Sequence, residues 1–393
     1  MKKRQKVTVT FEYPVIFTRG VFDPENTALA EILSGDPARL LFFLDGGLVE
    51  CWPELPAATE TYCNASNGQL DLLAPAEIVP GGERIKNDLR ILDTVGKICA
   101  EAGVDRHAYI VIVGGGAVLD AVGFAAATIH RGVRQVRLPT TTLSQGDSGV
   151  GVKNGLNRFG LKNFYGTFEP PSGVLIDFDF LDTLPRRDWL SGVAEAFKVA
   201  LIRDEQLLKY LEKNAVDLLY RDRAVMEHVM RRTAELHLRH IGQSADPFER
   251  GTERPLDFGH WAAHRLEKMT SHELRHGEAV AIGIAIDLHC ALKMSLISAT
   301  ALETTLDAME SCGLPLWHGV LNRRSPDGRL EVLGGLERFR QHLGGELTLA
   351  MPDGIGNMTF VHRLPETMVE EAVDFLQKRA HPCSGTTRTS PTA

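Results

Sequence analysis

Two patterns of apolar positions divide the chain. In the first half, short unbroken apolar runs alternate with segments of helical spacing. Arg39 to Leu44 (RLLFFL) and Tyr109 to Val113 (YIVIV) read as buried strands, the first running into Asp45-Gly46-Gly47 and the second into Gly114-Gly115-Gly116. Ile85 to Ala102 between them has helical spacing, Ala117 to Ile129 reads as a helix of small residues, and Gln135 to Leu138 returns to strand before Pro139. Near the N-terminus VTVTFEYPVIF alternates as a strand does. Such alternation predicts a layered α/β domain. From about Leu184 onward the spacing becomes that of long amphipathic helices, at Ala194 to Lys213, Arg223 to Arg239, Trp261 to Met269 and Ala279 to Leu296, with few strand candidates. The expected organisation is an α/β domain over 1–184, a mainly α-helical domain over 185–381 and a disordered Ser/Thr/Pro-rich tail over 382–393.

Length agrees with two domains, because 393 residues exceed what one core usually organises. A content of 44% hydrophobic and 24% charged residues is that of a well-packed globular enzyme. The net charge of -8 argues against nucleic acid and anionic membrane surfaces, which attract excess Lys and Arg. An anionic substrate would therefore need a local positive cluster. Six scattered cysteines without CxxC pairs fit reduced thiols in a cytosolic protein. The basic N-terminus is not followed by a signal-peptide apolar core. No stretch approaches the roughly 20 apolar residues of a membrane span, so a cytoplasmic location is expected.

Three stretches carry candidate chemistry. A strand running into Gly114-Gly115-Gly116 and then a helix is a geometry that receives a pyrophosphate on backbone N–H groups. The spacing is not G-x-G-x-x-G, however, since Leu119 stands at the third glycine position, and a plain strand-to-helix turn accounts for it equally. Asp45 could accept from a ribose hydroxyl or close an ordinary turn. Arg131 to Asn163 mixes Thr140, Thr141, Asp147, Lys153, Lys162 and Asn163 with many glycines, which suits either a phosphate-binding loop or a solvated basic one. Finally, AEAFK places Glu195 and Lys198 on one helix face, DFGHWAAH places His260 and His264 on another, and His276 follows in RHGEAV. One carboxylate with two imidazoles and an open position is a catalytic rather than a structural zinc set.

Taken in order, GGGxxxD (Gly114 to Asp120), PTT (Pro139 to Thr141), GDSGVGVK (Gly146 to Lys153), LKN (Leu161 to Asn163), TLP (Thr183 to Pro185), GVAEAFK (Gly192 to Lys198), FGHxxxH (Phe258 to His264) and HGEAV (His276 to Val280) resemble 3-dehydroquinate synthase and its sugar phosphate cyclase relatives. The resemblance implies a Rossmann-like NAD-binding domain followed by a helical metal-binding domain. It implies Glu195, His260 and His276 as ligands of a zinc or cobalt ion. His264, Lys153, Lys162, Asn163, Lys198, Asp147 and Arg131 would surround an anionic sugar phosphate. For NAD it implies Asp45, Glu83, Lys86, Gly114, Gly115, Gly116, Asp120, Thr140, Thr141 and Thr183. A homodimer is implied as well.

The chain departs from the shikimate-pathway enzyme where that enzyme holds its substrate carboxylate. The family pattern R-x-x-L-N-F-G-H reads Glu253-Arg-Pro-Leu-Asp257-Phe-Gly-His260 here, placing carboxylates where an acid would need attraction. Arg239 falls on a family lysine, and RFRQHLGGELTL, with Arg340 and His342, replaces a DKK motif. Asp257 with a C-terminal histidine resembles the cyclases of sedoheptulose 7-phosphate, and DPFERGTERPLDFGHWAAH resembles cyclases of Ebo-type clusters. A cyclase acting on a non-carboxylate ketose phosphate is therefore expected, with Asp257 at the substrate. The alternatives are 3-dehydroquinate synthase itself and, from another class, a metal-dependent polyol or glycerol-phosphate dehydrogenase.

Overall fold

A computed structural model describes residues 2–381 except 244, 245, 247, 249 and 250, together with the backbone alone of His342. The expected tail over 382–393 lies outside the described residues. The chain falls into two compact units, Met1–Leu184 and Pro185–Ala393.

The first unit has nine strands among the described residues: β1 (Val15–Thr18), β2 (Ala38–Asp45), β3 (Leu70–Leu72), β4 (Glu77–Val79), β5 (Tyr109–Gly114), β6 (Arg134–Pro139), β7 (Lys153–Arg158), β8 (Leu161–Phe168) and β9 (Gly173–Asp177). Seven form one sheet in the order β1-β9-β6-β5-β2-β3, with β4 also on β2. All of its pairings are parallel. Helices cover both faces of such a sheet, which explains the unbroken apolar runs. Leu40, Phe42 and Leu44 of β2 point into a core with Val111, Val113, Leu138 and Leu175. Leu41 and Phe43 point the other way, into a core with Ile110, Ile112 and residues of the helices Arg90–Glu101 and Gly116–Thr128. After β2 the chain builds outward to β3 and then crosses to β5 on the other side, so β2 and β5 flank the switch point where open α/β sheets bind ligands beyond the strand C-termini.

Two expectations in this unit are corrected. Val7 to Phe11 forms no strand; its apolar residues are exposed, Val7 at 83% and Val9 at 66%. Alternation alone does not hold a strand that lacks a pairing partner. Conversely, the glycine-rich basic stretch is not all loop. Its second half is the antiparallel hairpin β7–β8, joined by Phe159 and Gly160, both at positive φ as in a type I′ turn.

Among the described residues the second unit is helical, with one small antiparallel strand pair, Leu349–Pro352 with Met358–Val361. The single helix expected over Ala194 to Lys213 is two, Arg186–Arg203 and Glu205–Lys213. Asp204 breaks it, leaving helical φ/ψ and capping the second helix by accepting from the N–H groups of Gln206 and Leu207. At the centre lies His276–Lys293, buried almost all round, as its nearly unbroken apolar sequence requires. Helices His260–Met269, Arg186–Arg203, Ala299–Ser311 and Glu366–Ala380 pack on it. Among the described residues no helix is long and apolar enough to cross a membrane.

Candidate metal and nucleotide sites

In the second unit, helix Arg186–Arg203 carries Glu195 and Lys198 on one buried face. Helix His260–Met269 begins on His260, and helix His276–Lys293 begins on His276. The three chain segments bring one donor atom each of Glu195, His260 and His276 within 4.8 Å of one another. Glu195 Oε1 lies 3.3 Å from His276 Nε2 and 3.6 Å from His260 Nε2. Two ligand atoms on a tetrahedral zinc, with bonds of about 2.0–2.1 Å, stand roughly 3.3 Å apart, so the spacing fits a shared ion better than direct hydrogen bonds. The other oxygen, Oε2, is 2.5 Å from Lys198 Nζ. Burial opposes ionisation of Glu195, but Lys198 and the imidazoles outweigh it and hold the carboxyl well below its ordinary range.

Each ring has an oxygen facing its Nδ1, within hydrogen-bond reach for His260 only. His260 Nδ1 lies 3.1 Å from the carbonyl of Phe258, and donation there leaves Nε2 with a lone pair toward Glu195. His276 Nδ1 lies 3.5 Å from buried Glu267 Oε1, the carboxylate–histidine arrangement that orients metal ligands. Burial opposes its protonation, yet Glu195 and Glu267 push the His276 pKa up to about 9. Sequence reading missed Glu267, although 260, 264 and 267 share a helix face. His264, exposed, forms a second group of possible ligands with Glu267 and His276. Asp257 is half-buried, 3.9 Å from Arg254, in the turn that precedes His260.

The first unit gathers the residues singled out for NAD. Asp45 ends β2 and accepts from the N–H groups of Gly47 (2.9 Å) and Gly115 (3.3 Å), tying its turn to the glycine turn at the end of β5. A Cβ on Gly114 would lie 2.9 Å from that of Asp45, and one on Gly116 would lie 2.6 Å from Ser148 Oγ, so the turn needs both glycines. Lys86, buried, makes an ion pair of 2.5 Å with Asp120 and donates to Asn163 Oδ1. Asn157, which sequence reading did not single out, donates to Glu83 (2.8 Å) and accepts from the Asn163 N–H (2.9 Å). Thr140 N–H donates to the Gly114 carbonyl, and Thr141 caps the next helix in a reciprocal bond pair with Ser144. Asp147 is the C-cap of that helix, Thr142–Gly146. Lys153 and Lys162 are exposed on β7 and β8. Arg131, exposed, and Thr183, whose hydroxyl donates to the Phe180 carbonyl, stand outside the Lys86 network.

The profile of the 3-dehydroquinate synthase N-terminal domain matches residues 76–191, and that of its C-terminal domain residues 192–331. The chain is 34% identical over 379 residues to 2-epi-5-epi-valiolone synthase of Streptomyces glaucescens, covering 93% of this chain and 92% of the relative. It is 35% identical to 3-dehydroquinate synthase of Rhodopirellula baltica, over 75% of this chain and 77% of that enzyme. The 2-epi-5-epi-valiolone synthase of Streptomyces hygroscopicus subsp. jinggangensis, solved with NAD+ and Zn2+ bound, superposes with a TM-score of 0.85 at 30% identity, covering 96% of this chain and 100% of that one. The protein belongs to the 3-dehydroquinate synthase family of sugar phosphate cyclases.

Proposed function

We propose that the protein is a sugar phosphate cyclase that converts a seven-carbon ketose phosphate, sedoheptulose 7-phosphate or a similar non-carboxylate sugar, into a carbocycle. The observation that carries this is the convergence of Glu195, His260 and His276 within 4.8 Å in a chain so extensively similar to 2-epi-5-epi-valiolone synthase. Net change is loss of phosphate and intramolecular aldol closure, without net oxidation. When bound, NAD supplies reversible oxidation at a ring carbon, and a zinc or cobalt ion supplies Lewis acidity.

The chain's own residues do the rest of the work in this reading. Asp45, Glu83, Lys86, the triple glycine, Asp120, Thr140, Thr141 and Thr183 hold the nucleotide. Lys153, Lys162 and Arg131 offset the charge of the leaving phosphate, and Asn163 donates a hydrogen bond to it. Lys198, Asp147 and His264 orient hydroxyl groups and exchange protons with them. Glu253 and Asp257 disfavour a carboxylate-bearing substrate, which supports the ketose over 3-deoxy-arabino-heptulosonate 7-phosphate. The proposal includes a homodimer, supported by the family resemblance, and a cytoplasmic location, supported by five described cysteines that are free thiols.

The test is phosphate release from each of the two sugar phosphates in the presence of NAD and zinc or cobalt. Release from sedoheptulose 7-phosphate is expected. Release from the deoxy acid alone would make the protein a 3-dehydroquinate synthase, and accumulation of NADH with polyols would make it a dehydrogenase.

A further inference from the structure

Helix His276–Lys293 is apolar through its middle except for two polar residues, and one of them, Asp287, is 1% exposed. A carboxylate is costly to bury. Among the described residues Asp287 has no cation in contact; its partners are two N–H groups. Oδ2 accepts from the backbone N–H of Gly259 at 3.0 Å, and Oδ1 accepts from the indole N–H of Trp261 at 2.8 Å. Those two residues stand on either side of His260.

The geometry around them leaves the turn no slack. Gly259 has φ +78, and a Cβ there would lie 2.9 Å from the backbone N of Ile284. A Cβ on Gly283 would lie 2.1 Å from the Gly259 carbonyl oxygen, so the turn and the central helix meet backbone to backbone. The carbonyl of Phe258, one residue earlier, receives the Nδ1–H of His260 and so decides which nitrogen is left for a metal. Displacing the Gly259 peptide would move that carbonyl and rotate the imidazole.

We infer that Asp287 is a positioning residue for the metal site, gripping Gly259 and Trp261 so that His260 is presented with the correct nitrogen at the correct angle. The helix that begins with one proposed ligand, His276, thus braces another, His260, from a point three turns further on. The inference rests on the reading of His260 as a ligand. It assigns no contact with substrate to Asp287 or Trp261.

Zinc affinity, measured by competition with a chromophoric chelator, and the visible absorption of bound Co2+ test it on the full-length protein. Asp287→Asn nearly preserves volume but turns an amide NH2 toward an N–H donor, and Trp261→Phe removes one bond while keeping the carboxylate. Both variants, shown folded by circular dichroism at the assay temperature, are expected to bind zinc about tenfold or more weakly and to shift the cobalt bands, the size of effect seen when partners of a ligand are removed. A purely structural role would lower the thermal midpoint and leave both readouts unchanged. Wild-type zinc affinity and cobalt bands in the folded variants would overturn the inference; if Asp287→Asn does not fold, Trp261→Phe decides. His260→Ala is the control: wild-type zinc binding in that variant would overturn the ligand assignment itself.

Discussion

Lys198 Nζ and Glu195 Oε2 stand 2.5 Å apart, with their side chains 3% and 2% exposed. The pairing divides the labour of one carboxylate: Oε2 faces the ammonium, and Oε1 faces both imidazoles. Only one oxygen is thereby offered to an ion, and the lysine is held beside it. Lys198→Met should therefore retain metal at wild-type stoichiometry while losing turnover. Metal analysis of the purified variant, read beside its activity, checks this.

Glu195→Gln should behave differently. It removes the anion that three cationic or ionisable groups share, so metal retention and turnover should both be lost. The buried Lys198–Glu195 ion pair would also be broken, a change that typically costs about 3–5 kcal/mol. Urea unfolding of the metal-free variant should show that loss, and wild-type metal content would contradict the assignment of Glu195 as a ligand.

Arg137 is another buried cation, in β6 of the first unit, and burial pulls its pKa down to about 10. Its guanidinium donates to the carbonyl of Gly151 (2.7 Å), to Asn154 Oδ1 (2.7 Å) and to the carbonyl of Lys153 (3.4 Å). It thus fixes the chain where proposed phosphate-binding Lys153 begins β7. Arg137→Met would remove the donor from the buried Gly151 carbonyl and Asn154 Oδ1, at about 1–3 kcal/mol each. The expected kinetic result is a KM for the sugar phosphate raised at least several-fold with NAD affinity little changed, measured by steady-state kinetics and NAD titration.

Asp257 stands two residues after Pro255 in the turn leading to His260, on the segment where the family pattern has an asparagine. Asp257→Asn removes a negative charge without changing shape. The ratio of kcat/KM for 3-deoxy-arabino-heptulosonate 7-phosphate to that for sedoheptulose 7-phosphate should rise about tenfold, equivalent to roughly 1.4 kcal/mol. Competition between the two substrates reads this ratio directly, and no change would remove Asp257 from substrate choice.

Stability should depend on pH through Asp177. Burial pushes its carboxyl up from 3.8 to about 6, although the N–H groups of Val21 and Asp179 pull the other way. The folded state then keeps this proton to higher pH than the unfolded state. Its stabilising contribution is accordingly present at low pH and lost as pH rises from about 4 to about 6. Asp177→Asn should flatten that slope in the thermal midpoint over this range.

How much of this was legible in the sequence follows from what each element depends on. β2 and β5 were readable because strands covered on both faces show unbroken apolar runs. The hairpin β7–β8 was not, since KNGLNR has no apolar period and its pairing is set by register and by the Phe159–Gly160 turn. Val7 to Phe11 shows the converse failure, a strand pattern with nothing to pair against. Periodicity placed Glu195 and Lys198 together but could not bring three distant segments to one point; family resemblance named the trio. Asn157 and Asp287 escaped because their roles lie in long-range hydrogen bonds that no local spacing announces.

The most direct test of the proposed activity follows 13C-labelled sedoheptulose 7-phosphate by NMR with zinc- or cobalt-loaded enzyme and substoichiometric NAD. The account predicts many turnovers per NAD, each yielding free phosphate and a carbocyclic product with a new carbon–carbon bond. Conversion that stops at one equivalent of NAD, or a product that keeps its phosphate and an open or oxygen-containing ring, would contradict it.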